Sequence, residues 1–411
     1  MEPSITRRTA LTALAAGAAA AADPAGLVPG RTAEAAGTDG WVLAGEPATR
    51  EGDPEADRLI ESLYADNQVE QLNAAFKTWT RNDQPVPDGA PAEAAEFLQA
   101  HAVLTAEEQA ITDGFTGSEL AKFVQANMEA LSVAEGCGGL FTALADPLLA
   151  KSVYYAKFDL VADIGRRFSR TFNTLWDGLG DGNWAPEGNA VVSLGKLRLV
   201  HAAARHMALR HGWDAETDGT PISQRLKTEE IMYVTMYNVG LAAKNGVDMT
   251  RTQIDELASM SWVAGRLLGI DPKYNPRTYE QSEAVIADSR AYRGWSAEGK
   301  ELAHNMLEWM DRKFFPGAGA IGGSLVKHFD EEVADILEIK TNPVTDAGVR
   351  TLAPLMTQSA HQVQLQYPLL VPLHAKMFDI ASKMTAWYAV DFRDYDLQLP
   401  TGRPATASGT A

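Results

Sequence analysis

Apolar residues recur at three- and four-residue spacing along most of the chain. The stretches "DRLIESLYADNQVEQLNAAFKTW", "AAEFLQAHAVLTAEEQAITDGF" and "GSELAKFVQANMEALSVAEG" carry it, as do "AHNMLEWMDRKFF" and "LHAKMFDIASKMTAWYAV". One apolar face per 3.6-residue turn is the mark of amphipathic helices. Sustained strand-type alternation is nearly absent, and no Asn-Gly or Asp-Gly pair joins two β-branched runs. Breaks fall at 180–189, 212–221, 269–278 and 315–323, none long or polar enough to separate domains. The pattern predicts an all-α fold, a single large helical domain over residues 56–398. Residues 36–55, rich in Gly, Pro and acids, read as a linker, and the low-complexity tail 399–411 as disordered.

Composition narrows this picture. A chain of 411 residues with 45% hydrophobic and 22% charged residues is an ordinary globular one. Its net charge of −18 and pI near 4.9 argue against nucleic acid and anionic membranes, which need a basic patch. A lone cysteine, Cys137, excludes an internal disulfide, and no C-x-x-C-H is present for covalent haem attachment. Near the start, "SITRRTALTALAAGAAAAAD" pairs Arg7 and Arg8 ahead of a small-residue apolar run, and "RTAEAAG" offers a cleavage-like site near Ala35. The run is shorter than the roughly 20 residues that cross a bilayer. Residues 1–35 therefore read as a twin-arginine signal, implying a secreted protein carried folded by that export machinery, with no membrane span. The alternative is a disordered Ala-rich leader.

Three histidines, His201, His206 and His211, fall in "LGKLRLVHAAARHMALRHGWD". At 100° per residue, Leu194, Leu197, His201, Ala204 and Ala208 form one apolar stripe. His206 and His211 follow at successive five-residue steps, so the three cannot converge on one ion from a regular helix, as the i, i+4 spacing of a zinc helix would allow. Those two read as structural or solvated. His201 has two readings: a core histidine bonded to a backbone carbonyl, or an iron ligand. Small Ala204 and Ala208 leave room for a flat group, and Arg198 and Arg205, at i−3 and i+4, are placed to pair with a macrocycle's propionates or to make salt bridges. On "FDLVADIGRRFSRTFNTLW", Arg167, Arg170 and Thr171 stand together beside a core stripe. They are placed to hydrogen-bond a bound oxygen species, while Asp163 offers Arg167 an ordinary i,i+4 ion pair. "GAGAIGG" (317–323) follows a helical pattern rather than a strand, and reads as a loop rather than a dinucleotide fingerprint.

"RRFSRT" at 166–171, "LRLVHAAARH" at 197–206 and "GTPISQ" at 219–224, in that order, resemble the latex-clearing protein family. These are haem b rubber oxygenases within a broader oxygenase family that includes mycophenolic-acid-pathway enzymes. The resemblance covers essentially the whole chain after the leader. It implies a globin-like haem-binding core with extra helices and one non-covalent haem b. It makes His201 the proximal iron ligand and puts Arg167 and Thr171 on the distal side. Arg170 falls where some members have an iron-capping lysine, and arginine is a poor iron ligand because it stays protonated. The implied reaction is insertion of dioxygen into the C=C bonds of poly(cis-1,4-isoprene), giving aldehyde- and ketone-ended oligomers.

One departure stands out. Family members that cleave rubber use a distal glutamate as base, yet no carboxylate lies between Asp146 and Asp159, where Lys151 stands midway. The leading expectation is a secreted, monomeric haem dioxygenase acting on an apolar isoprenoid with O2. The rivals are a same-family oxygenase of a small secondary metabolite, a globin-like haem protein without oxygenase turnover, and a cofactor-free helical binding protein.

Overall fold

The long periodic stretch from residue 57 to 79 is realised as two helices, because Asn67 takes a left-handed turn (φ 56°) between them. In the computed structural model, residues 40–155, 174, 177–367 and 397–400 are described. Among them, the helices of seven residues or more are α1 (Pro54–Ala65), α2 (Val69–Thr78), α3 (Ala92–His101), α4 (Ala106–Phe115), α5 (Glu119–Ala126) and α6 (Met128–Ala134). There follow α7 (Pro147–Tyr155), α8 (Ala190–Arg210), α9 (Gln224–Val234), α10 (Met236–Lys244) and α11 (Arg251–Leu267). The chain continues through α12 (Tyr279–Ser289), α13 (Ala297–Lys313), α14 (Ala318–Phe329) and α15 (Pro343–Gln366). No strand occurs among the described residues, so the all-α reading holds.

Local chemistry sets many of the boundaries. Thr105 and Thr250 each start a helix with a reciprocal capping box, using Glu108 and Gln253. Ser118, Ser223 and Ser296 cap α5, α9 and α13 through their hydroxyls. Asp146 has two jobs. One carboxylate oxygen accepts from the first-turn N–H groups of Leu148 and Leu149, and the other accepts from Arg225 at 2.9 Å.

Two apolar cores meet at α8. The larger gathers Phe141, Leu194, Met232, Val263, Leu302 and Trp309; the smaller joins Leu59, Leu63, Phe76 and Leu98 to Val192, Leu199 and Ala202. Of the stripe expected on this helix, only Leu194 and Ala208 are buried, and Leu197, His201 and Ala204 are half-buried. Its other side packs on α1 and α2, as befits a helix apolar on more than one face. No helix among the described residues is long and apolar enough to cross a membrane.

Three expectations are corrected. The stretch read as a linker belongs to the body from residue 40: Trp41, Ala44 and Ala48 are buried in the larger core, and Val42 bonds Lys273 backbone. Its Gly, Pro and acidic composition conceals one well-placed indole. At the other end, Leu399 is buried in the smaller core and exchanges two hydrogen bonds with Asn73, so the folded domain runs past 398. "GAGAIGG" is not a loop, since α14 begins at Ala318. Its glycines let α14 approach α13: a Cβ on Gly319 would stand 2.3 Å from the Leu307 carbonyl, and one on Gly322 2.9 Å from Met310 Sδ.

Arg225 is fully buried between Asp146 and Glu229. Removing Asp146 leaves the buried Arg225 with Glu229 as its one remaining carboxylate partner and a helix without its cap. Asp146→Ala should lower the unfolding free energy by about 4 kcal/mol, read from urea denaturation.

Candidate active site

α8 carries the candidate residues, and its sides face different partners. The His201 side chain is 12% exposed, and its Nε2 lies 3.8 Å from Oε2 of Glu230 on α9. Leu197, one turn earlier, and Ala204, one turn later, are half-buried beside it. His206 points elsewhere, its ring stacked on Tyr64 with centroids 4.5 Å apart. His211 sets Nδ1 2.6 Å from the Met207 carbonyl oxygen. The three histidines thus serve three separate environments. Among the described residues no three His, Cys, Asp or Glu side chains gather to hold a metal between them. The donor set is one imidazole on a buried helix, which fits a metal that arrives with four ligands in its own macrocycle.

Arg198 and Arg205 are held in ion pairs. Arg198 binds both oxygens of Asp53 at 2.8 and 2.9 Å and reaches Glu55 at 3.0 Å. Arg205 meets Asp57 at 2.8 Å and donates to the Ile222 carbonyl at 2.8 Å. Lys227 completes the group, 3.6 Å from Asp53 and donating to the Gly269 carbonyl at 2.6 Å. These contacts match the salt-bridge alternative, though they are mostly buried rather than superficial. They fasten α1 to the histidine helix.

Burial alone would raise the Asp53 carboxyl, but its hydrogen bonds from Arg198 and the charges of Lys227, Arg198 and Arg205 bring it down to about 2. Desolvation drives Lys227 the other way, to about 7, against the pull of Asp53. Gly269 permits this crowding. It sits at φ +75°, and a Cβ there would come within 2.1 Å of Asp53 Oδ2 and 2.5 Å of Arg198 Nε.

Arg167, Arg170 and Thr171 lie outside the described residues. On the approach to them, Lys151 forms an ion pair with Asp218 and lies 5.7 and 5.5 Å from the ring centroids of Tyr155 and Trp213. A carboxylate does reach this stretch through the fold, but paired to the lysine.

Sequence reading missed a buried acid. Glu135 opens a π-helical turn, Glu135–Gly139, and accepts from Asn238 Nδ2 at 2.6 Å. Desolvation pushes its carboxyl up to about 7; the Asn238 hydrogen bond opposes the rise and the Glu230 charge adds to it. Asn238 also lines an apolar cavity walled by Phe123, Leu131, Leu179, Val234, Met249 and Leu257. An acid that keeps its proton near neutrality therefore stands one side chain behind an apolar wall, and π-turns recur at functional sites. The available signal was an acid set directly before "GCGG", where small residues let other backbones close over a carboxyl.

Residues 124–358 match the family described as "ER-bound oxygenase mpaB/B'/Rubber oxygenase, catalytic domain". The chain belongs to this oxygenase family. The match takes in His201, Glu230, Glu135, Lys151 and the Arg167–Thr171 stretch, and leaves α1 and its carboxylates outside. A rubber oxygenase from Streptomyces sp. (strain K30) is 27% identical over 319 residues, 74% of each chain. A solved latex clearing protein, in its closed state, superposes with a TM-score of 0.71 at 21% identity, covering 87% of this chain and 95% of that one. The chain is thus an enzyme, an oxygenase of a family whose members depend on a cofactor.

Two outcomes follow from the ion cluster. Arg198→Ala should destabilise the cofactor-free protein by about 3 kcal/mol in urea, whereas a side chain serving only a cofactor would leave the empty protein unchanged. Asp53 has its lower value in the folded state. Its contribution, about 2 kcal/mol, is therefore complete above the ordinary value of 3.8 and lost as pH falls towards about 2. Urea midpoints of wild type and Asp53→Asn should differ at pH 6 and converge by about pH 2.

Proposed function

We propose that this oxygenase is an exported, haem b-dependent dioxygenase that cleaves the C=C bonds of an isoprenoid polymer, poly(cis-1,4-isoprene), into aldehyde- and ketone-ended oligomers. The observation that carries the cofactor is His201: a single imidazole, on a helix buried from both sides, with no protein-only metal cluster around it among the described residues. The family membership and the rubber oxygenase relative support the reaction class. In this reading His201 ligates the iron, and haem supplies the dioxygen chemistry when bound. Arg167 and Thr171 orient the oxygen with their donors. Arg170, a permanent cation, holds charge at the distal side without competing for the iron. Arg198 and Arg205 hold the histidine helix in place through Asp53 and Asp57, and serve propionates only by sharing donors with those carboxylates. The twin-arginine signal in residues 1–35, which lie outside the described residues, supports export of the folded protein.

One observation favours a second reading, a same-family oxygenase of a small apolar metabolite. In the stretch that precedes Arg167 in sequence, Asp218 reaches Lys151 as a neutralised carboxylate rather than a free base. Glu135 then supplies an acid beside an apolar wall, bonded to the cavity-lining Asn238.

The absorption spectrum of the mature protein should show a Soret band at close to one haem per chain, lost or shifted in His201→Ala and responsive to dithionite and carbon monoxide. Oxygen uptake should then rise with polyisoprene emulsion and with no small alkene alone. A haem-supplemented preparation with no Soret band, or one indifferent to His201, would sink the cofactor assignment. Uptake driven only by small alkenes would select the second reading.

A further inference from the structure

The turn between α13 and α14 is uncharged over ten residues, "FFPGAGAIGG" from Phe314 to Gly323, and carries no polar side chain at all. Water meets much of it. Phe315 is 54% exposed, Phe314 44% and Ile321 40%, with Pro316, Gly317 and Ala320 also exposed. Two phenyl rings and an isoleucine at one tip are more than the scattered single apolar residues a surface normally shows.

This tip is built, not loose. Asp311 Oδ1 accepts from the N–H groups of Gly317 and Gly319, at 2.9 and 2.8 Å, and so closes the turn. Gly317 occupies a left-handed conformation, φ +99°, that suits only glycine comfortably. Phe314 rests edge-on against Trp309 at 5.4 Å, and the glycine face of α14 locks onto α13. Apolar groups held in one arrangement lose little entropy when they bind.

Charge selects among apolar partners. Glu308, Asp311, Arg312 and Lys313, just before the turn, cancel, with Arg312 paired to Glu308 at 3.7 Å. The chain as a whole carries −18. Binding to an anionic bilayer needs a surplus of cations beside the apolar residues, and among the described residues Arg312 and Lys313 here are offset by Glu308 and Asp311. A neutral hydrocarbon phase asks for no counter-charge.

We propose that the α13–α14 turn is an adsorption surface that seats the protein on a neutral, condensed hydrocarbon phase, the physical form an isoprenoid polymer takes in water. The inference rests on the isoprenoid reading for its purpose, not for the contact itself. Phe315 and Ile321 enter the hydrocarbon, while Phe314 and the Asp311 cap fix their angle.

The test uses the haem-loaded, full-length mature protein and a squalane-in-water emulsion. Squalane has no double bond, so adsorption is read without turnover, and a failure of oxygen uptake counts only against the function proposed above. Wild type should float with the droplets. The double variant Phe315→Ser, Ile321→Ser should lose droplet affinity about tenfold or more, with helicity, melting temperature and Soret band unchanged. Phe315→Trp should retain adsorption, which guards against a folding artefact. Unchanged flotation of the double variant would overturn the proposal. So would wild-type binding to phosphatidylglycerol-rich vesicles in preference to squalane, or a wild-type dimer that the double variant splits, since the turn would then serve a membrane or a second copy.

Discussion

Asp53 is a carboxylate taken almost wholly out of water, and it is tolerated there because Arg198 grips both its oxygens while Lys227 stands behind them. An isolated buried carboxylate would take up a proton; this one is held ionised. Around it the geometry of the histidine helix is settled. Asp53 also caps α1, so the same group that starts the N-terminal helix anchors it to α8. Asp57, one turn further along, repeats the contact with Arg205. His201 lies between the two arginines on α8, and its helix is thus pinned on either side of the ring by bonds to one rigid partner. Catalytic groups that must be placed to within a fraction of an ångström need such a frame.

The arrangement spends charge on positioning. Cations flanking a histidine invite a reading as cofactor partners, and their carboxylate neighbours turn that into a scaffold. The matched oxygenase region begins after α1, so the frame that steadies the histidine lies partly outside that region.

What could be read from the chain follows the range of each interaction. The helices announce themselves because apolar spacing is local. His201 was legible as a single exceptional side chain on an apolar stripe. The partners of Arg198 and Arg205 were not, since Asp53 and Asp57 lie 145 and 148 residues away and nothing near the arginines records them. Trp41 and Leu399 escaped for the opposite reason: each is one apolar residue in a polar, Gly- or Pro-rich setting, too little to register as periodicity. "GAGAIGG" misled because glycine weakens a helix in isolation, and here close packing on α13 compensates.

The π-turn at Glu135–Gly139 has a consequence for how this protein can vary. It joins Met128–Ala134 to Leu140–Leu144 as one unbroken helical path with a residue more than α-geometry would use. Deleting one residue there would restore regular α-winding with the two halves still in register, and the wide turn itself would be lost. Glu135 would swing off Asn238, and Gly139 would no longer face the Tyr233 carbonyl that stands where its side chain would be. Chain length in this segment is therefore fixed by the wide turn. Substitutions there trade contacts one at a time, but the loss of one residue removes the turn and every contact it aims.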